Sequence, residues 1–259
     1  MTIDVDPDWW KTLFDEVYLV TDARSVGDDH ITRQEIDIFT ALIPLQTRDR
    51  ILDLCGGHGR HALELCRRGF RDCTVLDYSR PLIDIGERNA AAWSDSVRFV
   101  QGDARDTTLT AGAFDHVLIL GNSLGYIPEP HADLTILQES WRLLRPGGWL
   151  LLDVTDGEAV RAKIAPRAWH EIGDDVVVCR QREIQNDRVC AREMVLHKSR
   201  GMIRDKTYCI RLYDADNLAA LAARAGFGDV QVHAGASALS PSLDVGCMNH
   251  RLVVVARKP

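Results

Sequence analysis

The sequence predicts an α/β protein: a mostly parallel sheet with helices on both faces and an antiparallel β cap inserted late in the chain. Three observations carry this. Between Arg50 and Asp156, short, nearly continuous apolar runs alternate with amphipathic segments, as strands buried on both faces and joined by helices do. The first run leads into a turn with three glycines, ILDLCGGHGRH (51–61). After Asp156 the helical segments stop, and DDVVVCRQREI, RVCAREMVLHKS and DKTYCIRLY follow one another at hairpin spacing.

Taken in order, WWKTLFDEVYL (9–19) reads as a short amphipathic helix and TDARSVGDDH as a loop. DHITRQEIDIFTALI carries a capping box, with Thr32 as N-cap and Glu35 three residues on, and Ile31 and Ile36 as a hydrophobic staple. Ile36, Phe39, Leu42 and Ile43 form its buried stripe. RILDLC is strand one, and RHALELCRR is a helix stopped by Gly69. DCTVLDY is strand two. Ser79 and Pro81 open the helix SRPLIDIGERNAAAW. VRFVQGD and FDHVLILG are strands three and four. HADLTILQESWRLL is a helix with Leu134, Leu137, Trp141 and Leu144 on one face. RPGG turns the chain into strand five, WLLLDV. After the cap, DADNLAALAARAG is a helix capped by Asp214 and stopped by Gly226, and FGDVQVH and HRLVVVARK are closing strands. There is no internal repeat or flexible linker, so residues 1–259 read as a single domain. It divides into an N-terminal helical lid (1–45), a ligand-binding core (46–156), the inserted antiparallel cap (157–213) and a closing helix with strands (214–259).

Composition narrows the function. The 259 residues are 46% hydrophobic and 27% charged, ordinary for a globular protein. No apolar stretch approaches the roughly 20 residues needed to span a bilayer. The acidic, aromatic N-terminus resembles no signal or transit peptide, so a cytoplasmic protein without membrane contact is expected. The net charge of −7 argues against a nucleic-acid partner. The seven cysteines are odd in number and lack a C-x-x-C pair. They are expected to be reduced core residues, with no metal site.

The glycine turn admits two ligands. Gly57, Gly59 and Ala62 fit G-x-G-x-x-A, and Asp77 ends strand two 20 residues after Gly57, as a dinucleotide site requires. An NAD(P)-dependent oxidoreductase is therefore one reading. Against it, Asp53 lies only four residues before Gly57, where a carboxylate repels a pyrophosphate but suits a cationic ligand. QGDA (101–104) offers an acid for an adenine amine, and no Tyr is followed by Lys four positions on.

Together ILDLCGGHGRHA, VLDYS, VQGDA, FDHVLILGNSLGY and WRLLRPGGWLLLDV resemble, in order and spacing, the class I S-adenosylmethionine (SAM)-dependent methyltransferases. The likeness covers roughly residues 32–156 and 214–259. It implies a Rossmann-like seven-stranded, mostly parallel sheet with the last strand antiparallel, and SAM as cofactor. Cys55 stands where the family often has its first glycine. By this resemblance Asp53, Gly57 and Gly59 cradle the methionine part of SAM, Asp77 and Tyr78 meet the ribose end, and Asp103 and Ala104 contact the adenine. Gly121 and Asn122 line the pocket near the sulfonium, and Tyr18 and Arg24 close over the ligand.

GNSLGYIPEP (121–130) lacks the P-P-[YF] signature of DNA amino-methyltransferases, and no cysteine is placed for attack on a pyrimidine. The acidic charge and the cap favour methyl transfer to an N or O atom of a small molecule. His61, His131 (with Asp133) and Tyr126 are the candidate catalytic residues, and Tyr126, Arg211, Tyr213 and Trp10 the candidate substrate-binding ones. Trp9 and His250 stand as further candidates for the pocket wall and its mouth. A non-catalytic SAM-binding protein and an RNA methyltransferase remain alternatives at this point, and the oligomeric state is open.

Overall fold

A computed structural model of the chain describes residues 2–22, 26–235 and 250–259. The main sheet has seven strands: β1 (Arg50–Leu54), β2 (Asp72–Asp77), β3 (Val97–Gln101), β4 (Phe114–Ile119), β5 (Leu144–Thr155), β10 (Gly228–Ala234) and β11 (Arg251–Arg257). Their order is β10-β11-β5-β4-β1-β2-β3. β1 through β5 pair in parallel, and β11 runs antiparallel to both β5 and β10. The sheet is the one expected, with its last strand reversed.

Alternate side chains of each strand enter different cores, which explains the unbroken apolar runs. Ile51, Val75, Leu118, Val253 and Val255 pack with α3 (Asp29–Leu42) and α4 (Arg60–Arg67). Leu52, Leu76, Val117, Leu150 and Val254 pack with α6 (Ala132–Leu143) and α8 (Ala215–Arg224). The helix α5 (Arg80–Asn89) starts as read, with the Ser79 hydroxyl accepting from the Leu82 amide at 3.2 Å. Gly69 and Gly226 have left-handed backbones where their helices stop.

α3 departs from the expected start. Its cap is Asp28, whose carboxylate accepts from the amides of His30 (2.7 Å) and Ile31 (3.3 Å). Thr32 and Glu35 therefore lie inside the helix and are free to hold Arg60. The segment before it forms two short helices, α1 (Trp10–Leu13) and α2 (Glu16–Thr21).

The cap follows α7 (Gly157–Lys163) and has four strands rather than three: β6 (Arg167–Ile172), β7 (Val176–Gln185), β8 (Arg188–His197) and β9 (Gly201–Arg211). β6 is an edge strand of half-exposed, mixed residues, so it lacked an apolar run to announce it. Cys190 and Cys209 face each other across β8 and β9 with Cα atoms 4.1 Å apart and form a disulfide, which corrects the expectation of reduced cysteines throughout. Sequence spacing cannot show that two strands bring a pair into direct register.

Backbone and side-chain bonds stitch the N-terminal segment to the cap. Arg204 donates to the Leu13 carbonyl (3.0 Å) and pairs with Asp15, Lys206 donates to the Thr12 carbonyl, and Gln185 to that of Ile3 (2.9 Å). On the other side the Ser79 hydroxyl donates to the Phe14 carbonyl. The segment is thereby fixed between the cap and the carboxyl end of the sheet. No helix among the described residues is long and apolar enough to cross a membrane.

Candidate active site

Two cavities meet at the carboxyl ends of β1, β2 and β4, where open α/β sheets bind ligands. The first holds about 1190 Å³ of empty space, counting its part open to solvent. Its floor is the glycine turn. Gly57 and Gly59 have φ of +59° and +75°, which only glycine adopts without strain. Gly59 also touches the Phe99 ring so closely that a Cβ would sit 2.8 Å from it. It serves the packing of α4 on β3 and does not line the cavity, although a ligand-cradling role was expected.

Asp53 also differs from expectation. Its carboxylate lies beneath Gly56, whose added Cβ would fall 2.6 Å from Asp53 Cγ, so it stands behind the turn and not in the cavity. It is 1% exposed, and burial pushes its carboxyl up, opposed by the charges of His61 and Arg60 and by the Ala62 backbone amide.

Asp77 does reach the cavity. Its Oδ2 accepts from the Gly57 amide at 2.7 Å and its Oδ1 from Ser79 at 2.8 Å, so the carboxylate is fixed at the end of β2 with lone pairs left over. Burial pushes its carboxyl up to about 6 against those bonds. Tyr78, Asp103 and Ala104 line the same end. Asp103 is bound by Arg105 through Nε (3.0 Å) and Nη2 (2.7 Å). The Arg105 guanidinium in turn lies 5.3 Å from the Trp10 ring, and Trp10 packs at a tilt against Tyr78, ring centroids 4.8 Å apart. Trp10, expected at the substrate, therefore covers the Asp77–Asp103 end of the first cavity.

The other end carries Glu35, His58, Arg60 and His61. Burial works against ionisation of Glu35, yet Arg60 and His61 outweigh it and hold its carboxyl well below the usual range. His61 is buried with Nε2 3.0 Å from Glu35. Burial, with the charges of Arg60 and His61, lowers His58 to about 4, so it is neutral at pH 7.

The loop after β4 joins the two cavities. Gly121 and Tyr126 line both, as do Phe14 and Tyr18 of the N-terminal segment. Asn122, at φ +64°, lines only the second, where its Nδ2 approaches the Tyr126 hydroxyl at 3.5 Å. Its Oδ1 accepts from the Thr155 amide at 2.8 Å. The second cavity holds about 820 Å³ on the same measure and is roofed by the inner face of β7, β8 and β9. Trp9, rather than Trp10, is the tryptophan in its wall, with its ring 5.6 Å from Tyr126 and 5.8 Å from Tyr208.

Three expected groups are elsewhere. Arg211 and Tyr213 both bind the buried Asp133, Tyr213 donating at 2.5 Å, and Asp133 also accepts from the Gly125 amide at 3.1 Å. This hub shapes the β4 loop, and none of the three lines either cavity. His131 is exposed at the start of α6, and His250 is exposed beside Lys163 (3.4 Å). Arg24 lies outside the described residues. Sequence reasoning missed the charged lining of the second cavity. Arg180 bonds Asp22 and Glu193, and Glu193 bonds Arg204. Only the i, i+2 spacing of Arg180 and Arg182 on one strand hinted at it.

Cys55 tests the geometry of the first cavity. Its backbone is left-handed at φ +60° and it lines the cavity. Burial and the surrounding aspartates push its thiol well up, so alkylation by iodoacetamide at pH 7 should be slow. Once formed, the adduct should abolish ligand binding there, and a bound ligand should protect the thiol. Mass spectrometry of the Cys55 peptide with and without ligand measures both.

Residues 51–148 match the family described as "Methyltransferase domain". The chain is 32% identical over 132 residues to the putative methyltransferase YqeM of Bacillus subtilis, covering 50% of this chain and 53% of that protein. It spans about half the length of the curated relatives it matches. A S-adenosylmethionine-dependent methyltransferase from Clostridium acetobutylicum superposes with a TM-score of 0.74 at 15% identity, over 93% of this chain and 96% of that one. The sugar N-methyltransferase KedS8 from Streptoalloteichus does so with a TM-score of 0.71 at 20% identity, over 100% and 96%. The fold is that of the Rossmann-like methyltransferases.

Proposed function

We propose that the chain transfers the methyl group of SAM to an N or O atom of a small-molecule acceptor, releasing S-adenosylhomocysteine. The observation that carries this reading is the pair of cavities meeting at Gly121 and Tyr126. One has the glycine turn and Asp77 in its lining, and the other is roofed by the cap. Asp77, which reaches the first cavity without an ion-pair partner among the described residues, favours a cationic ligand bearing a sulfonium and an amino group over one bearing a pyrophosphate. Arg60 beside the turn is already paired with Glu35, and Arg105 with Asp103. The matched methyltransferase domain over residues 51–148 agrees.

When bound, SAM supplies an activated methyl group. The chain's own residues have modest tasks in such a displacement. Asp77 accepts from the ribose hydroxyls, and Trp10 and Tyr78 cover the adenine. Phe14, Tyr18 and Tyr126 surround the junction and exclude water, which aligns the reacting atoms. No histidine among the described residues lines the second cavity. An amine acceptor needs no base beyond its own neutral form, and Tyr126 and Tyr208 are protonated at pH 7, their phenols pushed up by burial, Tyr208 to about 12. They serve as hydrogen-bond donors to the acceptor.

A thermal-shift series with SAM, S-adenosylhomocysteine, NAD and NADP tests the reading. A ligand at 100 times its dissociation constant stabilises by about 2.7 kcal/mol, roughly 5–10 °C for a chain this size. Shifts with the first two alone are expected, and a shift with NAD alone overturns the proposal. Mass spectrometry of an acceptor incubated with labelled SAM then identifies the atom methylated.

A further inference from the structure

The inner face of the cap carries one more cation than its partners neutralise. On β7, β8 and β9 the paired rows facing the second cavity are Arg180–Glu193–Lys206 and Arg182–Ala191–Tyr208. The first row belongs to an ion-pair network: Arg180 bonds Asp22 and Glu193, Arg204 bonds Glu193 and Asp15, and Lys206 lies 3.9 Å from Asp15. Each of these three cations has a carboxylate partner. Arg182 stands outside it. It lines the cavity, is half-buried, and no carboxylate among the described residues is within ion-pair distance of it. Its neighbour across the strand is the small Ala191, which leaves space over the guanidinium. Beside it, the buried Trp9 indole N–H has no acceptor, in a ring that walls the same cavity.

The half-buried Arg182 guanidinium has no counter-charge among the described residues, and an orphaned buried indole N–H is costly unless something accepts from it. The cavity walls around them are aromatic. We propose that the acceptor substrate is an acid: a ring-bearing, apolar body lying among Trp9, Phe14 and Tyr126, with a carboxylate or phosphate held by Arg182 and its nucleophilic N or O atom at the Tyr126 end. The inference rests on the methyltransferase reading and adds the charge class of the acceptor. Arg182 is then a specificity residue, at the end of the cavity away from the transferred methyl.

Calorimetric titration of the full chain, first with S-adenosylhomocysteine and then, once saturated, with matched probes, tests this. The probes are benzoate, indole-3-acetate and phenyl phosphate against benzamide, indole-3-acetamide and phenol. At least one acid should bind about tenfold or more tighter than its neutral counterpart, as a charge-assisted bidentate contact predicts. Carboxylate and phosphate probes separate the two headgroups. Arg182→Gln should bring acid and neutral probe to within about twofold, and Arg182→Lys should keep part of the preference. Because the Arg182 side chain has no ion-pair partner among the described residues, both variants should retain the wild-type melting temperature. Equal binding of acids and neutral probes, no binding of any acid to the saturated chain, or a preference that survives Arg182→Gln overturns the inference alone. Failure of S-adenosylhomocysteine to bind in the first titration overturns the methyltransferase reading, and this inference with it.

Discussion

Asp77→Asn should weaken binding of S-adenosylhomocysteine by about 100-fold or more. The wild-type carboxylate lines the cavity, accepts from the Gly57 and Ser79 amides, and has acceptor capacity left over. Two ribose hydroxyls can use it, each charge-assisted bond contributing about 1.5–3 kcal/mol. Asparagine removes the charge and also turns an NH₂ group against one of the two backbone donors, so the glycine turn itself is disturbed. Calorimetry measures the loss, and a change under about fivefold would remove Asp77 from the site. The same residue sets a pH dependence. Its folded pKa is raised to about 6, chiefly by burial, so the folded, unliganded chain holds this proton more tightly than the unfolded one does. Ionised Asp77 therefore costs stability above pH 6, and the cost is absent below about pH 4, where both states are protonated. Ligand binding runs the other way. It needs the carboxylate, so affinity should fall as pH drops below 6. The Asp77→Asn variant should lack both dependences, which separates them from other groups such as Glu139, whose carboxyl is lowered to about 2 by Arg142.

The parallel sheet was legible because its strands bury both faces and so leave unbroken apolar runs, and because three of the helices between and after them announce an end with Ser79, Asp214, Gly69 or Gly226. The glycine turn and Asp77 were legible for a related reason. Tight backbone geometry at a strand end admits few residue types, and it leaves a mark at fixed spacing. Other features depend on what the chain meets after folding. Gly59 looked like a ligand contact, but Phe99, 40 residues on, is what requires it. Trp9 and Trp10 are adjacent in sequence and enter different cavities, a consequence of the turn of α1 that no local pattern encodes. Arg211 and Tyr213 were expected at the substrate, yet each is engaged by a buried carboxylate at the end of the cap. That partner is Asp133, which comes from α6, so their task is to hold the β4 loop. The charge network under the cap was hidden because its members lie on separate elements: Asp22 follows α2, Arg180 is on β7, Glu193 on β8 and Arg204 on β9.

Arg251→Met should be the most damaging substitution outside the cavities, although Arg251 touches neither. Its side chain and that of Asp153 are 5% and 3% exposed, and Nε donates to Asp153 Oδ1 at 2.7 Å while Nη2 pairs with Oδ2. Removing the arginine strands a buried carboxylate, at a cost of about 3–5 kcal/mol, or roughly 10 °C in melting temperature. Asp153 also supports the site. Its Oδ2 accepts from the Gly121 amide at 3.2 Å and its carbonyl from the Asn122 amide at 3.0 Å, so the pair fixes the loop that both cavities share. Affinity for S-adenosylhomocysteine should therefore fall in Arg251→Met even at temperatures where the variant is folded. The double variant Asp153→Asn/Arg251→Met discriminates between charge and packing. Asparagine keeps an acceptor for Gly121 without a charge to neutralise, so most of the lost stability should return. If calorimetric melting finds the double variant as unstable as the single one, the role of Arg251 is to fill space between β5 and β11. If stability returns but affinity does not, the Asp153 charge itself, held by Arg251, is what orients Gly121 toward the ligand.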